Sequence, residues 1–217
     1  MKRASDRDSY IVNPEIEAYI ESLTPAGDKV LEEMEERARL SEFPIVGPLV
    51  GRLLFQLAVM INAKRVLELG SGFGYSAYWF AKAVGEGGSV VYTDMSVENA
   101  RAADDFFARA GLRHRLDIRT GDAVRILDES KGEFDIIFND IDKEYYPLVV
   151  DTAYEKLRKG GIFITDNVLW SGRVLSGDSS PGTEGVREFT RLLLSKTGFF
   201  TAIIPLRDGI SVSLKTQ

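Results

Sequence analysis

Cysteine is absent from the 217 residues, and histidine occurs once, at His114. Without thiols there is no disulfide framework and no thiolate metal centre. A single imidazole argues against a histidine-rich zinc site and against a Ser-His-Asp triad. A thiol-free chain suits a reducing compartment, and we expect a cytoplasmic protein. Long hydrophobic runs are also missing. The most apolar stretch, residues 49–61, is interrupted by Gly51, Arg52 and Gln56, too short and too broken to span a bilayer. The charged start, residues 1–8, leads into no apolar segment of the secretory kind, so no membrane partner is expected. Positive charge is in deficit too, with 27 Lys and Arg against 33 Asp and Glu. That argues against a broad nucleic-acid footprint, which needs clustered cations.

What is present suits one compact α/β unit with a helical extension. Amphipathic periodicity predicts helices over 14–23 and 26–40, the first opened by the cap and proline pair Asn13-Pro14. The segment 43–48 breaks the period, and another helix is expected over 49–61. We therefore divide the chain into an N-terminal helical extension, 1–48, and a main domain, 49–217. Strands are then expected at 65–69, 89–93, 115–120, 134–138 and 161–165. Helices over 75–84, 97–110, 123–128 and 145–157 alternate with them, the pattern of parallel β-α-β units. The ending differs: a loop over 176–183, a helix over 184–196, and two strands, 199–205 and 209–214. The link between those strands is so short that they can only pair antiparallel.

The most informative element is Val66-Leu67-Glu68-Leu69-Gly70-Ser71-Gly72-Phe73-Gly74-Tyr75-Ser76. A buried strand runs into three alternating glycines and then a helix, at the carboxyl end of the strand where open α/β sheets bind ligands. It is not the dinucleotide fingerprint, because Tyr75 stands where the third glycine is needed. Glu68 beside the loop would repel a pyrophosphate but attract a sulfonium or an ammonium. Asp94 ends the next strand, the usual place of a carboxylate that accepts from ribose hydroxyls. Gly121-Asp122-Ala123 follows the third strand and could line an adenine.

A second cluster closes the fourth and fifth strands, in Asn139-Asp140-Ile141-Asp142-Lys143 and Asp166-Asn167. Neighbouring parallel strands end at one sheet edge, so Asp140, Asp166 and Asn167 can converge. Two carboxylates and an amide make an all-oxygen set suited to a hard cation such as Mg²⁺. Beside a bound cation, Lys143 could remove a proton from a hydroxyl or stand as a fixed positive charge. Taken singly, each of these residues reads as a turn former, a helix cap or a solvated lysine. The case rests on their occurring together.

These residues resemble those of the cation-dependent class I O-methyltransferases, the group of catechol O-methyltransferase and caffeoyl-CoA O-methyltransferase. The resemblance runs from about residue 43 to 214. It is carried by the glycine loop, Asp94-Met95, the stretch 134–143 and Asp166-Asn167-Val168-Leu169-Trp170-Ser171-Gly172. It implies a Rossmann-like fold with a seven-stranded, mostly parallel sheet whose last strand is antiparallel, and helices on both faces. It implies S-adenosylmethionine as donor and a divalent cation, Mg²⁺ foremost with Ca²⁺ or Mn²⁺ as options. Val46, Gly70, Ser76, Asp94, Met95 and Ala123 match donor-pocket positions, to which the loop reading adds Glu68, Gly72, Asp122 and Asp140. Asp140, Asp166 and Asn167 match metal ligands, and Lys143 matches the general base, with Asp140 beside it in catalysis. Phe43 and Trp170 are candidate aromatic walls for a flat acceptor or, alternatively, core packing. Relatives often form homodimers, with N-terminal helices shaping the substrate mouth. Asn139 and Ile141 depart from the family pattern beside the metal set and put fine substrate geometry in question.

The expected activity is methyl transfer to a catechol-like or hydroxycinnamoyl hydroxyl. One rival keeps the chemistry but takes a 5-hydroxyuridine in tRNA, with Arg113, Arg115, Arg119 and Arg125 offering a phosphate face. A nicotinamide-dependent oxidoreductase is opposed by Tyr75. A donor-binding sensor would need neither the metal set nor Lys143.

Overall fold

A computed structural model describes residues 11–217. The charged stretch 1–8, where no apolar leader is expected, lies outside the described residues. Three helices come first. Helix α1 (Pro14–Leu23) starts on its proline, and the Asn13 side chain accepts the Glu15 N–H at 2.9 Å. Helix α2 (Lys29–Ser41) starts three residues later than its periodicity suggests. Asp28 caps it, accepting from Val30 and Leu31 N–H at 3.1 and 3.0 Å. Helix α3 (Gly47–Met60) begins around Pro48, which fits the first turn because its missing N–H has no helical partner there.

Strands and helices then alternate: β1 (Arg65–Leu69), α4 (Tyr75–Ala83), β2 (Ser89–Asp94), α5 (Val97–Arg109), β3 (Leu116–Thr120), α6 (Ala123–Glu129) and β4 (Phe134–Asn139). The helix expected over 145–157 is split. A 3₁₀ turn (Lys143–Val149) contains Pro147, which cannot donate to an α-helical ladder, and α7 (Val150–Lys156) follows it. Strand β5 (Leu157–Thr165) begins before its apolar core, because Leu157 pairs with Phe134 ahead of a register shift that reaches Ile162 opposite Ile136. Helix α8 (Pro181–Ser195) starts on Pro181, inside the stretch expected to be loop, and a 3₁₀ turn (Trp170–Leu175) orders part of what precedes it. Strands β6 (Phe199–Ile204) and β7 (Ile210–Lys215) form the closing antiparallel hairpin.

The seven strands run in the order β3-β2-β1-β4-β5-β7-β6. β1 pairs in parallel with both β2 and β4, and β7 is antiparallel to β5 and β6. The order reverses between β1 and β4. Loops leaving neighbouring strands there turn to opposite faces and open a crevice.

Apolar cores cover both faces. One gathers Val66, Ile136, Phe138 and Ile164 with α2 to α5, including Leu31 and Met34 of the N-terminal extension. The other gathers Leu67, Ile137 and Phe163 with α7 and α8. A side chain such as Phe80, fully buried and 5.7 Å from Phe138 by ring centroids, contributes roughly 1.5–3 kcal/mol. Among the described residues no helix is long and apolar enough to cross a membrane.

Candidate active site

The crevice at the reversal is where both sequence motifs arrive. β1 delivers the glycine loop and β4 delivers Asp140. Asp140 N–H bonds the Leu69 carbonyl at 2.9 Å, and Asp166 N–H bonds the Asn139 carbonyl at 3.1 Å, so three strand ends are stitched together. Gly70 has φ 81°, and a Cβ on it would lie 2.5 Å from the Asp140 carbonyl oxygen. Only glycine permits that turn and that approach. At Gly72 the room left by the missing side chain is taken by Phe43, 2.8 Å from where a Cβ would stand. Phe43 also packs on Phe73 at 5.1 Å, so it is at once a core contact and a cover over the loop.

Asp94 holds the loop. One carboxylate oxygen accepts Gly72 N–H at 2.9 Å, and the other accepts Ser96 N–H and the Asn99 amide. Met95 beside it is 74% exposed, a large apolar side chain left facing open space. Asp122 caps α6, accepting from Val124 and Arg125 N–H, with Ala123 as the first helical residue. Gly121 N–H bonds the Asp94 carbonyl at 2.9 Å, which brings this turn to the same edge. Val46 is buried at the start of α3.

Glu68 is fully buried. Ser76, in the first turn of α4, donates to Oε1, while Oε2 has no partner among the described residues. Burial pushes its carboxyl up to about 8, against the pull of the Ser76 and Ser71 hydroxyls, and Asp140 and Asp94 add repulsion. A buried carboxylate oxygen with no partner among the described residues, next to the glycine loop, fits a ligand that carries a cation.

Across the crevice, Asp166 is 5% exposed. Burial lifts its carboxyl to about 7, and Asp140 is the next cause; Asp140 itself is raised by burial. Asp140 thus raises its neighbour Asp166, a crowding of negative charge that a hard cation would relieve. Among the described residues no three His, Cys, Asp or Glu side chains form a metal cluster. The oxygen set here is two carboxylates and the Asn167 amide, whose residue takes a left-handed φ of 55° directly after Asp166. The donor set therefore fits Mg²⁺ better than zinc. Lys143 Nζ donates to Asp140 Oδ1 at 2.9 Å and to the Ile141 carbonyl at 3.3 Å. It also stands 5.2 Å from the Tyr146 ring and 5.6 Å from the Trp170 ring. An ammonium between a carboxylate and two aromatic faces is well placed as a fixed charge.

An open cleft of about 1180 Å³ leads to this point. Pro14 and Glu17 of α1, Phe43, Asp166 and Asn167 are among its walls. Trp170 is not among them; its indole turns towards Lys143 and the first turn of α8, with Ser171 facing the cleft instead.

Several contributors were not legible beforehand. Tyr92 reads as a strand residue, yet its hydroxyl bonds the Gly72 carbonyl at 2.5 Å. Tyr75, noted only as the residue that spoils a dinucleotide motif, donates to Glu35 of α2 at 2.6 Å. Tyr146 donates to the Asp166 carbonyl at 3.0 Å. Arg207, in the β6–β7 turn, donates to the Ile45 carbonyl at 2.9 Å. Asn139, Thr165 and Ser211 lie in register across β4, β5 and β7, all buried, with no partner among the described residues for their side-chain polar atoms. The arginines considered as a phosphate face are engaged internally. Arg113 pairs with Asp104, Arg119 with Asp117 and Arg125 with Glu129, while Arg115 bonds the Ala81 carbonyl.

Residues 28–216 match the family model described as O-methyltransferase. Catechol O-methyltransferase of Niastella koreensis is 36% identical, over 78% of this chain and 81% of its own. Caffeoyl-CoA O-methyltransferase of Medicago sativa is 31% identical, over 75% of this chain and 71% of its own. Among solved structures, the O-methyltransferase TomG of Streptomyces achromogenes, in complex with SAM, superposes with a TM-score of 0.85 at 29% identity, covering 94% of this chain and 96% of that one. An O-methyltransferase of Bacillus cereus, in complex with SAH, gives 0.83 at 29% identity, covering 93% and 97%. A family-model match over residues 28–216, with relatives above 30% identity over three quarters of the chain, means that the protein belongs to the O-methyltransferase family that includes the catechol and caffeoyl-CoA enzymes.

Proposed function

We propose that the protein transfers a methyl group from S-adenosylmethionine to one hydroxyl of a catechol-like or hydroxycinnamoyl small molecule, with a divalent cation at Asp140, Asp166 and Asn167. The observation that carries the reading is the meeting of two carboxylates raised by burial, an amide and an ammonium at the end of a cleft, one strand away from the glycine loop. When bound, the donor supplies an electrophilic methyl on a sulfonium, and the cation supplies positive charge that favours a phenolate over a phenol.

The chain's own residues do the rest. Glu68, with one oxygen free, favours the positive end of the donor. Asp94, already fixed by three hydrogen bonds, keeps lone pairs for ribose hydroxyls. Met95 covers an adenine, and Gly70, Gly72, Ser76, Val46, Asp122 and Ala123 shape the donor pocket around it. Asp140, Asp166 and Asn167 would hold the cation, which would supply positive charge for orienting the acceptor, and orientation supplies much of the rate in a displacement reaction. Lys143 either stands as a fixed positive charge beside the acceptor oxygen or, as the neutral amine, takes that oxygen's proton. Phe43 lies over the loop at the cleft, where a flat ring can rest against it.

The rival acceptor, a tRNA uridine, has less support, since its arginines are occupied by internal partners. A second copy of the chain is the proposed partner. Helix α1 leaves Ile16, Tyr19, Ile20 and Leu23 on one exposed stripe, which supports a homodimer.

The test is metal dependence. Turnover of a catechol should stop with a chelator and return with Mg²⁺. Asp140→Ala should abolish turnover while donor affinity, read by calorimetry, is largely kept, and Lys143→Ala should lower kcat more than donor affinity. Turnover that survives both the chelator and Asp140→Ala removes the metal from the mechanism.

A further inference from the structure

Arg187, in the second turn of α8, takes no part in the chemistry above, yet all five of its guanidinium N–H groups are engaged. Nε donates to the Val174 carbonyl at 3.1 Å and Nη1 to the Asp178 carbonyl at 2.8 Å. Nη2 donates to the carbonyls of Arg173, at 3.1 Å, and of Ser176. The remaining N–H meets Glu184 at 2.6 Å. Four backbone carbonyls from residues 173–178 thus converge on one planar fork, a pattern that a lysine ammonium cannot reproduce.

The segment held in this way is the continuation of the turn that carries Trp170. That turn is backbone-strained, with φ of 48° at Trp170, 50° at Ser171 and 73° at Gly172. Conformations of this kind persist only where surrounding contacts over-determine them. On one side Asp208 does so, its carbonyl accepting Leu169 N–H at 3.0 Å and its carboxylate accepting Ser171 N–H. On the other side Arg187 does so. Between them Trp170 lies against Gly182 of α8, where an added Cβ would stand 3.5 Å from the indole Cζ2 and 3.6 Å from Lys143 Cβ. Gly185, one turn on, backs directly onto Lys143 and Glu144.

We propose that Arg187 is a positioning residue that, by binding 173–178 to α8, fixes the Trp170 indole beside Lys143 and so sets which acceptor hydroxyl faces the donor. This rests on the catechol reading above.

The experiment uses the full chain with Trp79→Phe, which leaves Trp170 as the single tryptophan fluorophore. Arg187→Met and Arg187→Lys are compared in that background. With Mg²⁺ and 3,4-dihydroxybenzoate, whose two hydroxyls are inequivalent, Arg187→Met is expected to lower acceptor kcat/KM about tenfold. The meta-to-para product ratio should move about threefold, with donor affinity kept within about twofold. Acrylamide quenching of Trp170, read without acceptor, should rise, and Arg187→Lys should fall between. If the Met variant does not fold, the Lys variant decides by the same readouts. An unchanged product ratio overturns the proposal, and so does unchanged quenching or a parallel loss of donor affinity. If the Trp79→Phe protein methylates no catechol, the catechol reading fails on its own, and quenching alone decides whether Arg187 holds the loop.

Discussion

Glu68 shows what one residue in one place implies. Its position before the glycine loop was legible as a carboxylate that favours a cation, because sequence adjacency alone fixes that it ends β1. That it would be fully buried, with Ser76 on one oxygen and no partner among the described residues on the other, depends on α4 packing over the strand. The burial has a measurable consequence. In the unfolded chain this carboxyl loses its proton near the ordinary value of 4.5, while in the fold it keeps it to about 8. The folded state therefore binds more protons across that window, and its stability falls as pH rises through it. Donor-free wild type should lose more thermal stability between pH 5 and pH 8 than Glu68→Gln, whose amide does not titrate. Parallel melting curves for the two proteins check this, and equal pH slopes would show that Glu68 ionises as in water.

Among the elements, α2 was legible as a helix but not as part of the site's support. Its periodicity is visible, while its cap and its partners are not. Asp28 both caps α2 and reaches across to α4, where Lys82 Nζ lies 2.6 Å away and the Tyr78 hydroxyl 3.2 Å. Losing a cap costs about 0.5–2 kcal/mol, and the half-exposed ion pair adds up to about 1. Asp28→Ala should therefore lower the denaturation midpoint by an amount in that range with an unchanged denaturant slope, and Asp28→Asn should recover the capping part. Two of the elements that differ from expectation differ at prolines. Pro147 divides one helix, and Pro181 starts another earlier than polarity suggested. In both places the fixed φ of the proline ring and its missing N–H decide the boundary.

For the molecule as a whole, the reversal of strand order between β1 and β4 puts the two motifs side by side, and α1 with the β6–β7 turn walls the cleft leading to them. Helix α1 has no buried residue and is tied to the body partly through Glu17, 3.6 Å from Arg207. An element with so little buried surface contributes little to global stability. At concentrations too low for a second copy to bind, removing residues 1–24 should shift Tm by no more than about 2–4 °C, the equivalent of roughly 1 kcal/mol for a chain of this size. The acceptor KM should rise, since one cleft wall is lost, while donor affinity is kept. Calorimetry on the shortened chain and a steady-state titration of acceptor measure the two effects; a large loss of Tm would make α1 part of the folding unit.

Local chemistry was enough to determine the alternation of strands and helices, the glycine loop, the antiparallel ending and the residue types at each strand end. Those depend on period, on backbone freedom and on where a short link forces a reversal. Tertiary structure decided which of those ends meet. Asp140 raises Asp166, Phe43 fills the space over Gly72, and Arg187 gathers four distant carbonyls. Each depends on strand order and helix docking, and through-space contacts of that kind leave no period or spacing in a chain read from end to end.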